Sequence, residues 1–184
     1  QTIVYFPANF DIWQASIDFL IRLHKSTNTN IHAINYRGTG GSDGFPEVED
    51  TLINDGIAYV KNLIQSGVQP GKIALFGGSI GAGVCLAVAA RLADENIVVN
   101  TIPLRSYKVL ADIIAQVLPV AAHSTARFAA KMGWKLDSQA VLPKLRGHMI
   151  CMYSEQDPMV PVARSIKNAI ETAPAGSLQL ASIE

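Results

Sequence analysis

The sequence lacks several features that would assign it to a functional class. Fifteen Lys and Arg residues balance fifteen Asp and Glu residues, so the formal net charge is zero. Without a long run of one sign, the chain has no electrostatic footprint for nucleic acid or for an anionic membrane. The longest apolar run, Ile80 to Ala90, is far shorter than the ~20 residues that cross a bilayer. No signal peptide is visible, and we therefore predict no transmembrane segment and no nucleic-acid partner.

Cysteine is also scarce. The two cysteines, Cys85 and Cys151, lie in an apolar helical run and an apolar strand-like run, without a metal-binding or redox spacing. We interpret them as buried packing residues in a reducing compartment, with no disulfide. The sequence predicts neither a metal site nor a cofactor.

What the sequence does contain is a regular alternation of two periodicities. Strand-like apolar runs occur at Thr2–Phe6, Ile31–Tyr36, Lys72–Phe76, Ile97–Ile102, His148–Tyr153 and Leu178–Ile183. Helical patterns occur at Asp11–Lys25, Val48–Ser66, Ile80–Ala93 and Val162–Thr172. Strands that are apolar almost throughout are typical of a parallel sheet covered on both faces. The predicted fold class is α/β, with three layers and a doubly wound, mostly parallel sheet.

One segment departs from this alternation. Residues 105–141 are helical in character but irregular, with Pro119 interrupting them, and Pro103 is expected to end the strand before them. We predict a small helical cap inserted into a single domain that spans residues 1–184. Seven apolar side chains could line an acyl pocket there or could simply pack the insert onto the sheet. They are Ile113, Ile114, Val117, Leu118, Phe128, Met132 and Trp134.

The most informative short stretch is Gly77-Gly78-Ser79-Ile80-Gly81, which joins a predicted strand to a predicted helix. This is a G-x-S-x-G pattern in the strand–turn–helix setting of a nucleophile elbow. Side chains at the flanking glycine positions would clash with the crossing strand and helix, and the apex residue adopts a strained backbone. Ser79 is therefore the candidate nucleophile, and the alternative is a plain tight turn.

A serine nucleophile needs a base, and the base needs an acid that orients it. Asp157 lies just past the end of the strand His148–Tyr153, in a turn stiffened by Pro158. Because functional groups collect at the carboxyl ends of strands in doubly wound sheets, Ser79 and Asp157 are both well placed. The other interpretation is that Asp157 closes its own turn through the backbone. Glu155 is the substitute acid.

Three motifs together resemble the α/β-hydrolases, specifically the small-capped serine hydrolases of the Bem46-like esterase/peptidase group. They are Asn35 to Ser42 (NYRGTGGS), Gly77 to Gly81 (GGSIG) and Ser154 to Pro161 (SEQDPMVP). The resemblance covers essentially the whole chain, and a weaker similarity is to hydrolases of intracellular bacterial pathogens. It implies a serine hydrolase that cleaves an ester, thioester or amide bond of a small-molecule or acyl substrate.

The resemblance also implies an oxyanion hole made of backbone N–H groups. One belongs to Ile80, and the other belongs to the turn after the first strand, at Asn9 or Phe10. The family usually has His-Gly in that turn, whereas this chain has Pro7-Ala8, so the choice between Asn9 and Phe10 stays open. Asn9 could instead cap the following helix. Arg37 is interpreted as a structural residue that ties the glycine-rich loop together.

The general base is the element that the sequence does not supply. In the family the catalytic histidine follows the acid, and no histidine follows Asp157. His24, His32, His123 and His148 are interpreted as surface or packing residues, with His123 alone able to approach the cleft from the cap. We expect the base to lie beyond Glu184, one or two further strands to precede Thr2, and the chain as given to be nearly inactive.

Two functional hypotheses follow from these residues. The first is a serine hydrolase, and the second is a non-catalytic hydrolase-fold module that binds or scaffolds. Nucleotide binding is disfavoured because neither glycine-rich turn matches the P-loop or the dinucleotide-binding pattern. The expected location is the cytoplasm, with a secreted bacterial effector as the alternative.

Overall fold

A computed structural model of the chain describes residues 1–9, 11–117, 133–171 and 178–182. Within these residues the strands are β1 (Thr2–Phe6), β2 (Asn30–Ala33), β3 (Ile73–Gly78), β4 (Asn100–Leu104), β5 (Met149–Tyr153) and β6 (Leu178–Ser182). The helices are α1 (Ile17–Thr27), α2 (Glu49–Gln65), α3 (Ile80–Asp94), α4 (Leu110–Val117), α5 (Ser138–Val141) and α6 (Lys167–Glu171). Short 3₁₀ turns occur at Pro70–Lys72, Leu142–Lys144 and Val162–Arg164. None of the described helices is long and apolar enough to span a membrane.

The six strands form one sheet in the order β2-β1-β3-β4-β5-β6, and every neighbouring pair is parallel. From β1 the chain moves to one side to form β2 and then crosses to the other side to form β3. This reversal places the topological switch point between the carboxyl ends of β1 and β3, where ligands bind in sheets of this kind. The predicted α/β class and the doubly wound parallel sheet are confirmed.

The two faces of β1 show why the sheet is covered on both sides. Val4 and Phe6 point into a large core that includes α2 and α3, whereas Ile3 and Tyr5 point into a smaller cluster with Leu20 of α1. All five residues of β1 are buried. A strand that buries both alternating faces reads as a continuous apolar run, which is the pattern that predicted β1 with its observed boundaries.

The first helix is shorter than its apolar periodicity predicts. The pattern indicates a helix over Asp11–Lys25, but α1 begins at Ile17. The backbone N–H of Trp13 donates to the side-chain oxygen of Asn35 at 3.0 Å. The N–H groups of Ala15 and Ser16 donate to the carbonyl oxygens three residues before them, at 2.9 and 3.1 Å, so residues 13–16 form turns instead of a first α-helical turn.

The prediction for β4 is wrong at both ends. The apolar run indicated Ile97–Ile102, ended by Pro103, yet β4 contains Pro103 opposite Gly77 of β3. The N–H groups of Thr101 and Arg105 donate to carbonyl oxygens of the segment carrying β5, at 2.9 and 2.8 Å. Pro103 lies between these two residues and has no backbone N–H, so the hydrogen bond to β5 that would lie between the other two is missing. The strand continues because its pairing with β3 is retained.

The predicted helix Val162–Thr172 is also divided. The structure has a 3₁₀ turn at Val162–Arg164 and then α6, and Thr172 lies outside the described residues. Between them Ser165 forms an antiparallel bridge with Tyr107. This long-range pairing requires extended backbone, so it interrupts the helix.

The insert is described only in part. Its first described helix is α4 and its last is α5, and residues 118–132 lie outside the described residues. The cap over residues 105–141 therefore stays a prediction, together with the single-domain boundary 1–184.

Candidate active site

Ser79 occupies the sharp turn between β3 and α3. Its backbone has φ 52° and ψ −116°, a strained conformation for a residue other than glycine. The Ser79 N–H donates to the Leu104 carbonyl oxygen of β4 at 2.9 Å. The turn is thus tied to the neighbouring strand, and strain of this kind is often found at functional sites.

The glycines on either side of Ser79 have a steric explanation. A Cβ atom at Gly77 would lie 2.2 Å from the Gly81 carbonyl oxygen, and one at Gly81 would lie 2.3 Å from the Phe6 carbonyl oxygen. These contacts are with backbone atoms, which a rotamer change cannot relieve. Gly78 differs, because its nearest neighbour would be the Ala8 Cβ at 3.9 Å. Of these three glycines, only Gly77 and Gly81 are required by close packing.

The turn after β1 faces the start of α3. Ile80 is the first residue of α3, so its N–H has no partner within the helix. Ala8, Asn9 and Ile80 line the same cavity as Ser79. Asn9 does not cap α1, which has Ser16 at its N-cap, so that alternative is wrong. The other candidate in this turn, Phe10, lies outside the described residues.

Asp157 follows β5 and faces the same cavity. Its Oδ1 accepts hydrogen bonds from the N–H groups of Met159 at 2.8 Å and Val160 at 3.0 Å. Its Oδ2 is buried without a hydrogen-bond partner among the described residues. The guanidinium Nε of Arg105 lies 3.4 Å from that oxygen. Asp157 therefore closes its own turn with one oxygen, while the other is engaged by the Arg105 ion pair but accepts no hydrogen bond.

These groups surround one cavity of about 730 Å³, which we call the Ser79 cavity. Its polar lining comes from Asn9, Ser79, Arg105, Tyr107 and Asp157. Its apolar lining comes from Ala8, Ile80, Leu110, Ile113, Ile114, Trp134, Met159 and Val160. Three of the seven apolar insert residues predicted for a pocket thus line it. The side chain of Val117 and the residues Leu118, Phe128 and Met132 are outside the described part of the chain.

Other candidate residues lie elsewhere. Among the described residues no histidine lines the Ser79 cavity. The Nδ1 of His24 is 2.7 Å from the Thr29 carbonyl oxygen, and the Nδ1 of His32 is 3.0 Å from the Tyr59 hydroxyl. His148 precedes β5 at the opposite end of the strand from Asp157. His123 lies outside the described residues.

Two charged candidates are engaged in ion pairs away from the cavity. Arg37 binds the carboxylate of Asp55 on α2 through two nitrogen atoms, which ties the glycine-rich loop to that helix. Glu155 pairs with Lys167, with 3.2 Å between Oε1 and Nζ. Of the two candidate acids, Asp157 lines the Ser79 cavity and Glu155 does not.

Arg105 and Tyr107 line the cavity but were not singled out from the sequence. Arg105 has φ 51°, and the buried Tyr107 hydroxyl has no hydrogen-bond partner among the described residues. Burial raises the pKa of Tyr107 well above its usual value, so its hydroxyl stays protonated. Both residues directly follow β4. Their position after a parallel strand was the signal that could have identified them.

Within the described residues no group of three His, Cys, Asp or Glu side chains is arranged to hold a metal ion. The chemistry that this cavity offers is that of a hydroxyl, a carboxylate and free backbone N–H groups.

Comparison with known proteins gives the family. The sequence profile of the alpha/beta hydrolase family matches residues 3–177. Protein bem46 of Schizosaccharomyces pombe is 26% identical over 160 residues, which are 87% of this chain and 52% of that protein. The chain thus spans about half the length of this curated relative. The match confirms the predicted resemblance to the Bem46-like group.

Solved structures agree on the fold. An alpha-beta hydrolase from Vibrio vulnificus has a TM-score of 0.80 at 14% identity, covering 99% of this chain and 66% of the other. An esterase of Pyrococcus furiosus has a TM-score of 0.73 at 18% identity, covering 99% of this chain and 70% of the other. The profile match and the shared parallel sheet lead to one assignment: the chain belongs to the alpha/beta hydrolase family.

Proposed function

We propose that this chain carries the nucleophile and the acid of a serine hydrolase that cleaves an ester, thioester or amide bond. The observation that supports this proposal is that Ser79 and Asp157 face one cavity at the topological switch point. They come from different strands, and each follows the carboxyl end of its strand. The coarser conclusion, a hydrolase of this family, agrees with the esterase among the structural relatives.

In the proposed reaction the Oγ atom of Ser79 attacks the substrate carbonyl carbon and loses its proton to a base. The N–H groups of Ile80 and of the Asn9 turn donate to the oxyanion that forms. Donors of this kind contribute roughly 3–4 kcal/mol each to transition-state stabilisation. The positive end of the α3 dipole adds to the same field. The bond from the carbonyl carbon to the leaving oxygen, sulfur or nitrogen then breaks, and the base passes its proton to that leaving group. Water next gives a proton to the same base and attacks the acyl carbon, the bond to Ser79 Oγ breaks, and Oγ regains a proton as the acid product leaves.

Asp157 has the arrangement expected of the acid. Its Oδ1 is fixed by two backbone N–H groups, and its Oδ2 makes an ion pair with Arg105 but no hydrogen bond, so it can accept one from an imidazole N–H. A carboxylate held in this way orients the base and stabilises its protonated form. The described residues provide this acceptor without providing the histidine.

The lining of the cavity favours an acyl substrate. Apolar side chains from α4, from Trp134 and from the Asp157 turn cover most of its wall, and apolar walls with few polar groups are typical of small-molecule sites. We therefore propose an apolar acyl group as the part of the substrate that binds in the Ser79 cavity.

A second candidate function is a binding module without catalysis. It is favoured by one observation, that no histidine among the described residues lines the Ser79 cavity. In that case the cavity binds an apolar ligand, and Ser79 keeps its strained turn without reacting.

A fluorophosphonate probe distinguishes the two functions, because it phosphonylates activated serine nucleophiles. On the full-length protein we expect labelling at Ser79, identified by peptide mass spectrometry, and no labelling of Ser79→Ala. Ser42→Ala in the glycine-rich loop is the matched control and should be labelled like the wild type. Folded full-length protein that contains a histidine after Glu184 and still resists the probe would contradict the hydrolase proposal and favour the binding module.

A further inference from the structure

A second cavity of about 430 Å³ lies next to the Ser79 cavity. Both cavities are lined by Ala8, Asn9, Ile80 and Trp134. The remaining described lining of the second cavity is Asp11, Ile12, Tyr36, Thr39, Pro46 and Leu52. It extends under the glycine-rich loop, on the side of the switch point away from α4. The four residues border both spaces, and we call them the shared wall.

Trp134 contributes the largest side chain of this wall. Ala8 has only a methyl group, and Asn9 and Ile80 belong to the turns that carry the proposed oxyanion donors. Trp134 comes from a different part of the chain, directly after residues 118–132. A substitution at Trp134 can therefore change the volume of the space beside Ser79 without changing the turns themselves.

The indole is held in place by polar contacts. Its Nε1–H donates to the Glu47 carbonyl oxygen at 3.1 Å. The next two residues, Lys135 and Leu136, donate their backbone N–H groups to the carboxylate of Glu49 at the start of α2. Trp134 is thus anchored at its side chain and through the chain that follows it.

We propose that Trp134 determines the length of the acyl chain that this site binds, by separating the Ser79 cavity from the second cavity. An acyl chain that fills the Ser79 cavity meets the indole, and further methylenes then stay in solvent. A smaller side chain at this position joins the two spaces and lets longer chains continue into the second. The inference deepens the proposed function, because it assigns the acyl group to the cavity beside Ser79.

The expected size of the effect follows from apolar burial. Each methylene that becomes buried contributes about fourfold in affinity, and each methylene left in water contributes almost nothing. A plot of affinity against chain length should therefore rise and then level off at the length where the indole stops the chain. In Trp134→Ala the levelling point should move to longer chains by at least two methylenes, about a fifteenfold gain for those chains.

The test measures binding of straight-chain fatty acids of about six to sixteen carbons by isothermal titration calorimetry, below their micelle concentrations. Trp134→Leu is the second variant, and it decides the outcome if Trp134→Ala fails to fold. Trp13→Ala is the matched control, because Trp13 lines a different groove beside α1 and β2. It should keep the wild-type levelling point. The same levelling point in all folded variants, or no fatty-acid binding by the wild type, overturns the proposal.

Ser79→Ala separates this inference from the proposed function, because non-covalent binding needs no nucleophile. We expect this variant to bind fatty acids with the wild-type length profile while losing fluorophosphonate labelling. A profile that shifts in Trp134→Ala, in a full-length protein that the probe does not label, supports the inference and contradicts serine catalysis. Labelling without a shift contradicts the inference alone.

Discussion

The two walls of the Ser79 cavity are built from different kinds of contact. One wall, the Ser79 wall, consists of the turns after β1 and β3 and the buried helix α3. Here backbone atoms approach so closely that Gly77 and Gly81 cannot carry a side chain. The other, the Asp157 wall, consists of residues 105–114, 133–136 and 157–160. It depends on hydrogen bonds within the Asp157 turn, and on hydrogen bonds and an ion pair between groups from separate segments.

Because the two walls depend on different contacts, the shape of the pocket can change while the geometry of the nucleophile stays the same. Steric contact in a close-packed interior tolerates almost no change in volume. Individual hydrogen bonds near the surface contribute little each, so a wall built from them can be altered one contact at a time. We therefore expect substitutions in the Ser79 wall to affect folding and substitutions in the Asp157 wall to affect local order and ligand choice.

The largest expected effect concerns the two thiols, one near each wall. Burial raises the pKa of Cys151 in β5 to about 12 and raises the pKa of Cys85 in α3 as well. Because the thiolate is the reactive form, alkylation at pH 8 should be about a thousandfold slower in the folded protein than in denaturant. The measurement is the rate of iodoacetamide alkylation of the single-cysteine variants Cys85→Ala and Cys151→Ala.

The alkylation rates of the two thiols also show which of the two walls opens more readily. We expect Cys151 to react faster than Cys85, because the Asp157 wall opens locally before the Ser79 wall does. Equal rates would mean that both walls open only in global unfolding.

The raised pKa values of the two thiols also predict how the stability of the protein depends on pH. The contribution of the two buried, protonated thiols to the free energy of unfolding is fully present below about pH 9. It is lost between about pH 9 and 12, because the thiols ionise first in the unfolded chain.

The next largest effect is expected for Gly81→Ala. Alanine is favoured over glycine in a helix by about 1 kcal/mol, but its Cβ would lie 2.3 Å from the Phe6 carbonyl oxygen. The backbone of β1 or α3 must move, so we expect a loss of about 3 kcal/mol or more in the free energy of unfolding.

Gly78→Ala is the matched control for this prediction, since its Cβ would have 3.9 Å of clearance. It should stay within about 1 kcal/mol of the wild type. Both values come from urea denaturation. Equal stability of the two variants would show that close packing does not hold the Ser79 wall.

The smallest effect is expected for Glu49→Ala in the Asp157 wall. It removes the carboxylate that accepts from the N–H groups of Lys135 and Leu136, at a cost of about 1–2 kcal/mol. Hydrogen exchange should become faster at those two amides and stay unchanged in α3. Glu49→Gln keeps an acceptor oxygen and should lose less. A variant that exchanges faster throughout would contradict the separation of the two walls.

The parts of the site that the sequence predicted are those built within a few consecutive residues. Ser79 lies in a five-residue pattern, and Asp157 directly follows an apolar strand. Both patterns contain the residues that make the local backbone turn. The fold class followed in the same way, because buried parallel strands are continuous apolar runs.

The parts that the sequence did not predict depend on distant partners. Pro103 was expected to end its strand, but pairing with β3 carries the strand through it. The helix after Val162 is interrupted because Ser165 pairs with Tyr107. Arg105 stood out in no motif, and the fold brings it to Asp157.

By itself the sequence determined the Ser79 turn, the order of strands and helices and the α/β class, because each follows from backbone sterics or from apolar periodicity over short distances. Only the tertiary structure decided which side chains share the Ser79 cavity and that Trp134 borders both this cavity and the second one. The hydrogen bond that anchors the indole joins residues more than eighty positions apart, Trp134 and Glu47. Contacts over such distances arise from how the sheet brings its carboxyl ends together, and no local pattern encodes them.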